Sequence, residues 1–167
     1  MVAIDPKAPH GALFRRTRLE EFEGPGGFDV VVASLSLHHI PDLDAAIGKT
    51  AGLLRPQGRF LLNEFAWERL DHRAARWVVE RETTTGRGLS EGAVADVRVE
   101  WEREHDGLHT GASLLAALDG PFECLHLEWI PYVARMMRDA AAEPEEARAI
   151  AEGKLDPVGF RWIGRVR

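Results

Sequence analysis

This chain of 167 residues holds one cysteine, Cys124, and one tyrosine, and it has no long apolar run, no block of like charge, no internal repeat and no low-complexity segment. Each shortage excludes a class of protein. A lone thiol closes no intramolecular disulfide, so a disulfide-stapled secreted scaffold is excluded and an intracellular, cytoplasmic location is expected. Within residues 122–129, Cys124 reads as a small core or half-buried side chain. No stretch approaches the roughly 18 consecutive apolar residues of a membrane span, and the N-terminus lacks the apolar region of a signal peptide, so no membrane partner is expected. The balance of 21 basic against 27 acidic side chains gives a net charge of −6. The nearest basic cluster, Arg15-Arg16 with Arg18, is flanked by Glu20, Glu21 and Glu23, which argues against a nucleic-acid partner.

What is present is a chain with 45% hydrophobic residues. That is enough to bury the core of a single domain spanning residues 1–167. Its most telling stretch runs from Phe28 to Leu62. Asp29-Val30-Val31-Val32-Ala33 is an uninterrupted β-branched run of the kind found in parallel strands covered on both faces. Asp42 is placed to cap a helix, on which Leu43, Ala46, Ile47, Ala51 and Leu54 recur at helical spacing. Pro56-Gln57-Gly58 stops that helix, and Phe60-Leu61-Leu62 begins a second strand. A crossover of this length joining parallel strands is right-handed.

These residues resemble the class I S-adenosylmethionine-dependent methyltransferases, in particular their small-molecule branch. The resemblance rests on the FDVV-type strand at Phe28, the tail Leu35-Ser36-Leu37-His38-His39-Ile40 after it, and the turn Leu54-Arg55-Pro56-Gln57-Gly58, where Gln57 replaces the usual first glycine and Gly58 is left to supply the positive φ. More weakly, it extends from Val2 to Val166. It implies an α/β, Rossmann-like fold, mostly parallel, closed by a C-terminal antiparallel strand pair. It also implies S-adenosylmethionine as cofactor and a small molecule as methyl acceptor.

In the family an earlier strand and helix, joined by an E/D-x-G-x-G-x-G turn, cradle the methionine part of the cofactor, and that pattern is absent here. Gly24-Pro25-Gly26-Gly27 precedes a strand instead of following one, so it reads as a connecting loop. Val2-Ala3-Ile4-Asp5 resembles the end of the family's second strand. The chain is therefore expected to be N-terminally truncated relative to the family, or to begin from a start codon assigned too late. Without its central strand it is expected to associate, as a homodimer or with a complete homologue. A noncatalytic, methyltransferase-like binding or regulatory subunit is the alternative function.

Downstream, an amphipathic helix is predicted over Glu68 to Glu82, with Leu70, Ala74, Trp77, Val78 and Arg81 on one side, ending before a turn at Thr85-Gly86-Arg87-Gly88. Ser90 caps a second helix that stops near Asp106-Gly107, and a third runs from Gly111 or Ala112 to Leu118. Leu125, Leu127 and Trp129 alternate in one strand, and Val158, Phe160, Trp162 and Val166 alternate with arginines in another, each with one packed and one wet face. A helix from Glu143 to Glu152 with Pro144 in its first turn joins them.

Methyl transfer is an in-line displacement that needs alignment and, for a protonated acceptor, a base, so it leaves little sequence signature. By resemblance Asp5 holds the ribose, Glu20 approaches the adenine amino group, and Ser34, Leu35 and His38 line the cofactor's side. A surface turn, a solvated acid and strand-end packing are their respective alternatives. His39, beyond the carboxyl end of a parallel strand, is a candidate base, or it packs the next helix. Glu64 is a second candidate base, or a solvated acid. Trp67 and His109 are candidates for the acceptor wall. His105 and His109 stand four apart, but Asp106-Gly107 breaks the helix between them and no third ligand has fitting spacing, so no metal site is expected.

Overall fold

The structure is a computed structural model, and it describes residues 1–9, 11–82 and 90–167. The turn expected at Thr85-Gly86-Arg87-Gly88 lies outside them. In chain order the elements are β1 (Ala3–Ile4), β2 (Phe14–Arg15), β3 (Phe28–Ser34), α1 (Leu43–Leu53), β4 (Leu54–Phe65), α2 (His72–Glu82), α3 (Glu91–His105), α4 (Gly111–Leu118), β5 (Phe122–Ile130), α5 (Val133–Met136), α6 (Glu143–Ala151) and β6 (Gly159–Val166).

The β-branched run forms β3, and β3 pairs in parallel with β4, Val31 opposite Phe60 and Ser34 opposite Asn63. β6 pairs antiparallel with β4, and β5 antiparallel with β6, giving the strand order β3-β4-β6-β5. The C-terminal antiparallel pair is thus as expected. Among the described residues, parallel pairing is confined to β3 with β4 and to the separate pair β1 with β2. Because side chains alternate along a strand, Phe60, Leu62, Phe160 and Trp162 share one face. That face is closed by Leu43 and Ile47 of α1 and by Leu114 and Leu118 of α4. Val30 and Val32 point the other way, and Val32 is 65% exposed on what is also the edge strand of the sheet. A second core joins Phe65 to α2, α3, α5 and the segment before β6 through Ala74, Val78, Val94, Val133 and Val158.

Local chemistry sets the boundaries. Asp42 caps α1, its carboxylate accepting from the Ala45 N–H at 2.9 Å, and Ser90 caps α3 by accepting from Ala93 at 3.1 Å. Four expectations are corrected. In the turn after α1 the left-handed residue is Gln57, at φ +64°, and not Gly58. Gly58 is required for space, since a Cβ there would meet the Arg55 carbonyl oxygen at 2.8 Å. The helix expected from Glu68 starts at His72, because Asp71 accepts from the Ala74 N–H at 2.9 Å and so fixes the first turn, leaving Trp67–Arg69 as a short 3₁₀ segment. In β5 the apolar alternation does not form a packed face: a register shift between Cys124 and His126 sits at Leu125, β5 is the outer strand, and Leu125 and Leu127 remain exposed. Cys124 is exposed as well.

Candidate active site

Parallel β3 and β4 end together at Ser34 and Asn63, whose side chains meet, the Asn63 amide donating to Ser34 Oγ at 3.2 Å. Beyond Ser34 the backbone turns sharply. Leu35 takes φ +50°, a conformation a bulky L-residue adopts only when its surroundings impose it. Its own N–H donates to the Asn63 carbonyl at 2.9 Å, continuing the ladder into the turn.

The turn is held from beneath by Glu64. This side chain is 1% exposed, and its Oε1 accepts from the Ser36 and Leu37 N–H groups at 2.7 and 2.8 Å. Its Oε2 lies 2.7 Å from Nδ1 of His38, itself 4% exposed. A carboxylate only accepts, so the network assigns the His38 proton to Nδ1. Glu64 is therefore not the solvent-facing base expected from the sequence, since both its oxygens are engaged within the fold. The polar edge of His38 likewise faces this carboxylate instead of an open pocket.

His39 is exposed, and its ring centroid lies 4.0 Å from that of His38. Burial, then His38, lower its pKa from the ordinary 6.5; His105 and Lys7 also lower it, against an opposing pull from Glu64. The neutral imidazole is thus the prevailing form at pH 7. His105 Nδ1 donates to the Trp101 carbonyl at 2.7 Å and His109 Nε2 to the Ile40 carbonyl at 2.9 Å, while Gly107 at φ +79° separates the two.

The aromatic wall follows. Trp67 donates through its indole N–H to the His109 carbonyl at 3.2 Å, and its ring stacks on His105 at 6.0 Å. Phe65 stacks on Tyr132 at 4.5 Å, and burial, opposed by Arg135 and reinforced by Glu64, pushes the Tyr132 phenol up. A cavity of about 610 Å³ opens beside this wall, lined by Trp67, Leu70, Val99 and Trp101 with Glu68, Asp106 and neighbouring charges of α3. Another, of about 370 Å³, lies between α2 and α6. Neither is lined by Ser34, His38 or His39; Trp67 is the link between the larger one and the strand tips.

The N-terminal candidates take no part in the hydrogen bonds of this cluster. Asp5 is exposed after β1, one carboxylate oxygen accepting from the Lys7 N–H at 2.5 Å. Glu20 is exposed in a turn whose carbonyl accepts from Lys49 Nζ at 2.7 Å. Sequence reasoning weighed His105 only as a metal ligand, and it missed Lys7, Tyr132 and Glu68, the last of which accepts from the Gly111 and Ala112 N–H groups at 3.0 Å and caps α4. The spacing of Trp101 and His105, one helical turn apart, was the available signal for His105. For Lys7 there was none.

A parallel strand pair joined through a helix and ending at one rim, with helices packed on its sheet, is an open α/β arrangement, and such sheets bind ligands beyond the carboxyl ends of their strands. A methyltransferase-domain family matches residues 1–92, more than half the chain, and the chain belongs to that family. No curated protein matches. Among solved structures, the S-adenosylmethionine-dependent methyltransferase from Mesorhizobium loti is similar at 22% identity and TM-score 0.54, over 95% of this chain and 72% of that one. The 1,6-didemethyltoxoflavin-N1-methyltransferase from Burkholderia thailandensis is similar at 18% identity and TM-score 0.54, over 99% of this chain and 60% of that one. The N-methyltransferase NodS from Bradyrhizobium japonicum WM9 is similar at 12% identity and TM-score 0.51, over 92% of this chain and 53% of that one. These likenesses establish the α/β methyltransferase-like fold. The chain spans about half the length of NodS. Among the described residues no helix is long and apolar enough to cross a membrane.

Proposed function

We propose that this chain carries out S-adenosylmethionine-dependent methyl transfer to a small-molecule acceptor. The observation that carries the reading is the joint ending of β3 and β4, which sets Ser34, Leu35 and an exposed His39 on one rim. The match of residues 1–92 to the methyltransferase domain, and the similarity to enzymes whose structures were solved with S-adenosylhomocysteine, support it. The exposed Asp5 carboxylate has the acceptor chemistry a ribose diol requires, and Ser34 and Leu35 offer the strand tip for the cofactor's side. Glu20 stands for the adenine amino group. S-adenosylmethionine supplies the electrophilic methyl carbon. His39, neutral at pH 7, takes the proton of the acceptor, and Trp67 with His109 forms the wall against which a flat acceptor rests. The test is calorimetric titration of the purified chain with S-adenosylmethionine and S-adenosylhomocysteine: heat with a 1:1 stoichiometry supports the reading, and no heat at millimolar ligand removes it.

A second reading is favoured by Val30 and Val32, exposed on the edge strand β3. In it the chain is a noncatalytic subunit that pairs through β3 with a complete homologue or with a second copy of itself. An unpaired strand edge bearing exposed valines is a template for strand addition. Sedimentation of the wild-type chain beside Val32→Lys tests it; a strictly monomeric wild type, alone and when co-expressed with a full-length homologue, excludes it.

A further inference from the structure

Glu64 joins a strained turn to an imidazole through a single buried carboxylate. Three of its four lone-pair sites are filled, by the N–H groups of Ser36 and Leu37 and by Nδ1 of His38. All three partners lie just after Leu35, the residue at φ +50°. A left-handed leucine persists where neighbouring contacts over-determine it, and this carboxylate supplies them. The hold extends further. The His38 ring packs edge-on against Phe65 at 4.8 Å and lies against His39 at 4.0 Å, and its carbonyl accepts from the His109 N–H at 3.1 Å. The groups that act electrostatically on His39 are His38 on its own turn, Glu64 from β4, His105 from α3 and Lys7 from the N-terminal loop.

We propose that Glu64 is a positioning residue: it fixes His38 as the Nδ1–H tautomer, and the fixed His38 ring seats His39 at the strand tip. The catalytic consequence rests on reading His39 as the proton acceptor; the tautomer does not. The two backbone N–H groups occupy Oε1, and Oε2 is satisfied by the ring of the residue that packs against the exposed histidine, so the bond that saturates the buried carboxylate also orients that ring.

The experiment is long-range proton–nitrogen NMR on the full chain, without ligand. The expected wild-type spectrum has His38 Nδ1 protonated and Nε2 unprotonated. Glu64→Gln preserves shape, and its amide oxygen still accepts from Ser36 and Leu37, but its NH₂ now donates to His38 Nδ1. His38 is therefore expected to switch to the Nε2–H tautomer, with displaced His39 resonances. A wild-type Nε2–H tautomer, or an unchanged tautomer in Glu64→Gln, overturns the assignment, and the wild-type spectrum decides even if the variant fails to fold. His38→Asn adds a separate check, because its amide N–H reproduces the Nδ1–H donor while removing the ring. Its melting temperature is expected to fall through the lost ring contact with Phe65, and the His39 titration midpoint to move in the folded protein; an unmoved midpoint refutes the seating role. Titration with S-adenosylhomocysteine runs in parallel: absent binding with the expected tautomer would sink the methyl-transfer reading and leave the positioning of His38 standing.

Discussion

Gly111→Ala is expected to destabilise the chain through one contact that can be located to the atom. A Cβ at this position would stand 2.3 Å from the Cβ of Ala66 and 2.8 Å from its Cα. Carbon atoms rest at roughly 3.5–4.0 Å, so about an ångström of movement is required. Ala66 cannot supply it cheaply: it is fully buried, and its N–H donates to the Val158 carbonyl at 2.8 Å. Moving Gly111 instead pulls α4 away from Glu68, which holds the N–H groups of Gly111 and Ala112 at 3.0 Å. Overpacking of this kind costs about 1–3 kcal/mol. For a chain of this size a loss of about 2 kcal/mol lowers the melting temperature by roughly 4–8 °C. The assay is thermal unfolding followed by circular dichroism, on Gly111→Ala, Ala66→Gly and the double variant. Removing the Ala66 Cβ relieves the closer of the two contacts, so the double variant is expected to be more stable than the sum of the single changes allows, with a coupling of about 1 kcal/mol. Wild-type melting of Gly111→Ala, or strict additivity in the cycle, would show that the turn before α4 is not packed against residue 66 as described.

The remaining expectations concern other elements. Gln57→Gly relieves a left-handed backbone at φ +64° and is expected to raise the urea midpoint, the unfolding free energy gaining up to about 1 kcal/mol once the greater freedom of the unfolded chain is subtracted; a lower midpoint would contradict the turn geometry. Glu146, buried at the start of α5's support, accepts from the N–H groups of Tyr132, Val133 and Ala134 at 2.8–2.9 Å, so Glu146→Ala orphans three donors and is expected to cost about 3 kcal/mol or more in chemical denaturation. Asp71 is held below the ordinary carboxylate range: burial opposes ionisation, but the Ala74 N–H and Arg73 outweigh it. A depressed folded pKa gives stability that is full above the unfolded value near 3.9 and is lost as pH falls through the folded one. The gap in melting temperature between wild type and Asp71→Asn should therefore be constant near neutrality and close below about pH 4; a gap that persists there would refute the ion-pair and capping account.

Much of the fold was legible because its signals are local. β3, the Asp42 and Ser90 caps, the stop at Gly107 and α6 after Pro144 each follow from residues within one turn of the feature they set. The misreadings share the opposite property. Gln57 and Gly58 differ in which one needs conformational freedom and which one needs space, and only the approach of the Arg55 carbonyl decides between them. Helical periodicity ran through 68–71, yet a local Asx cap at Asp71 outcompeted it. Leu125 and Leu127 have strand spacing, but their burial depends on being interior to the sheet, and β5 is its edge.

The candidate site was legible as a position in the fold and not as a set of roles. His38 and His39 are adjacent and chemically identical in sequence, and the tip of a parallel strand marks both. What separates them is a carboxylate 26 residues away that removes one ring from solvent and leaves the other exposed. The sequence did carry a trace of this. Glu64 falls in strand alternation with Phe60 and Leu62 and is followed by Phe65-Ala66, and an acid on an apolar face is costly unless the fold saturates it with donors. Such a residue is better read as an acceptor for N–H groups of the fold than as a free base, because both its oxygens are engaged inside the protein. The same logic extends to Glu146 and, at the surface, to Glu68: each ties a loop near the strand tips to the helix or strand that bears it. A rim assembled by long-range carboxylate contacts can hold an exposed histidine in one place although the residues that hold it are far apart in the chain.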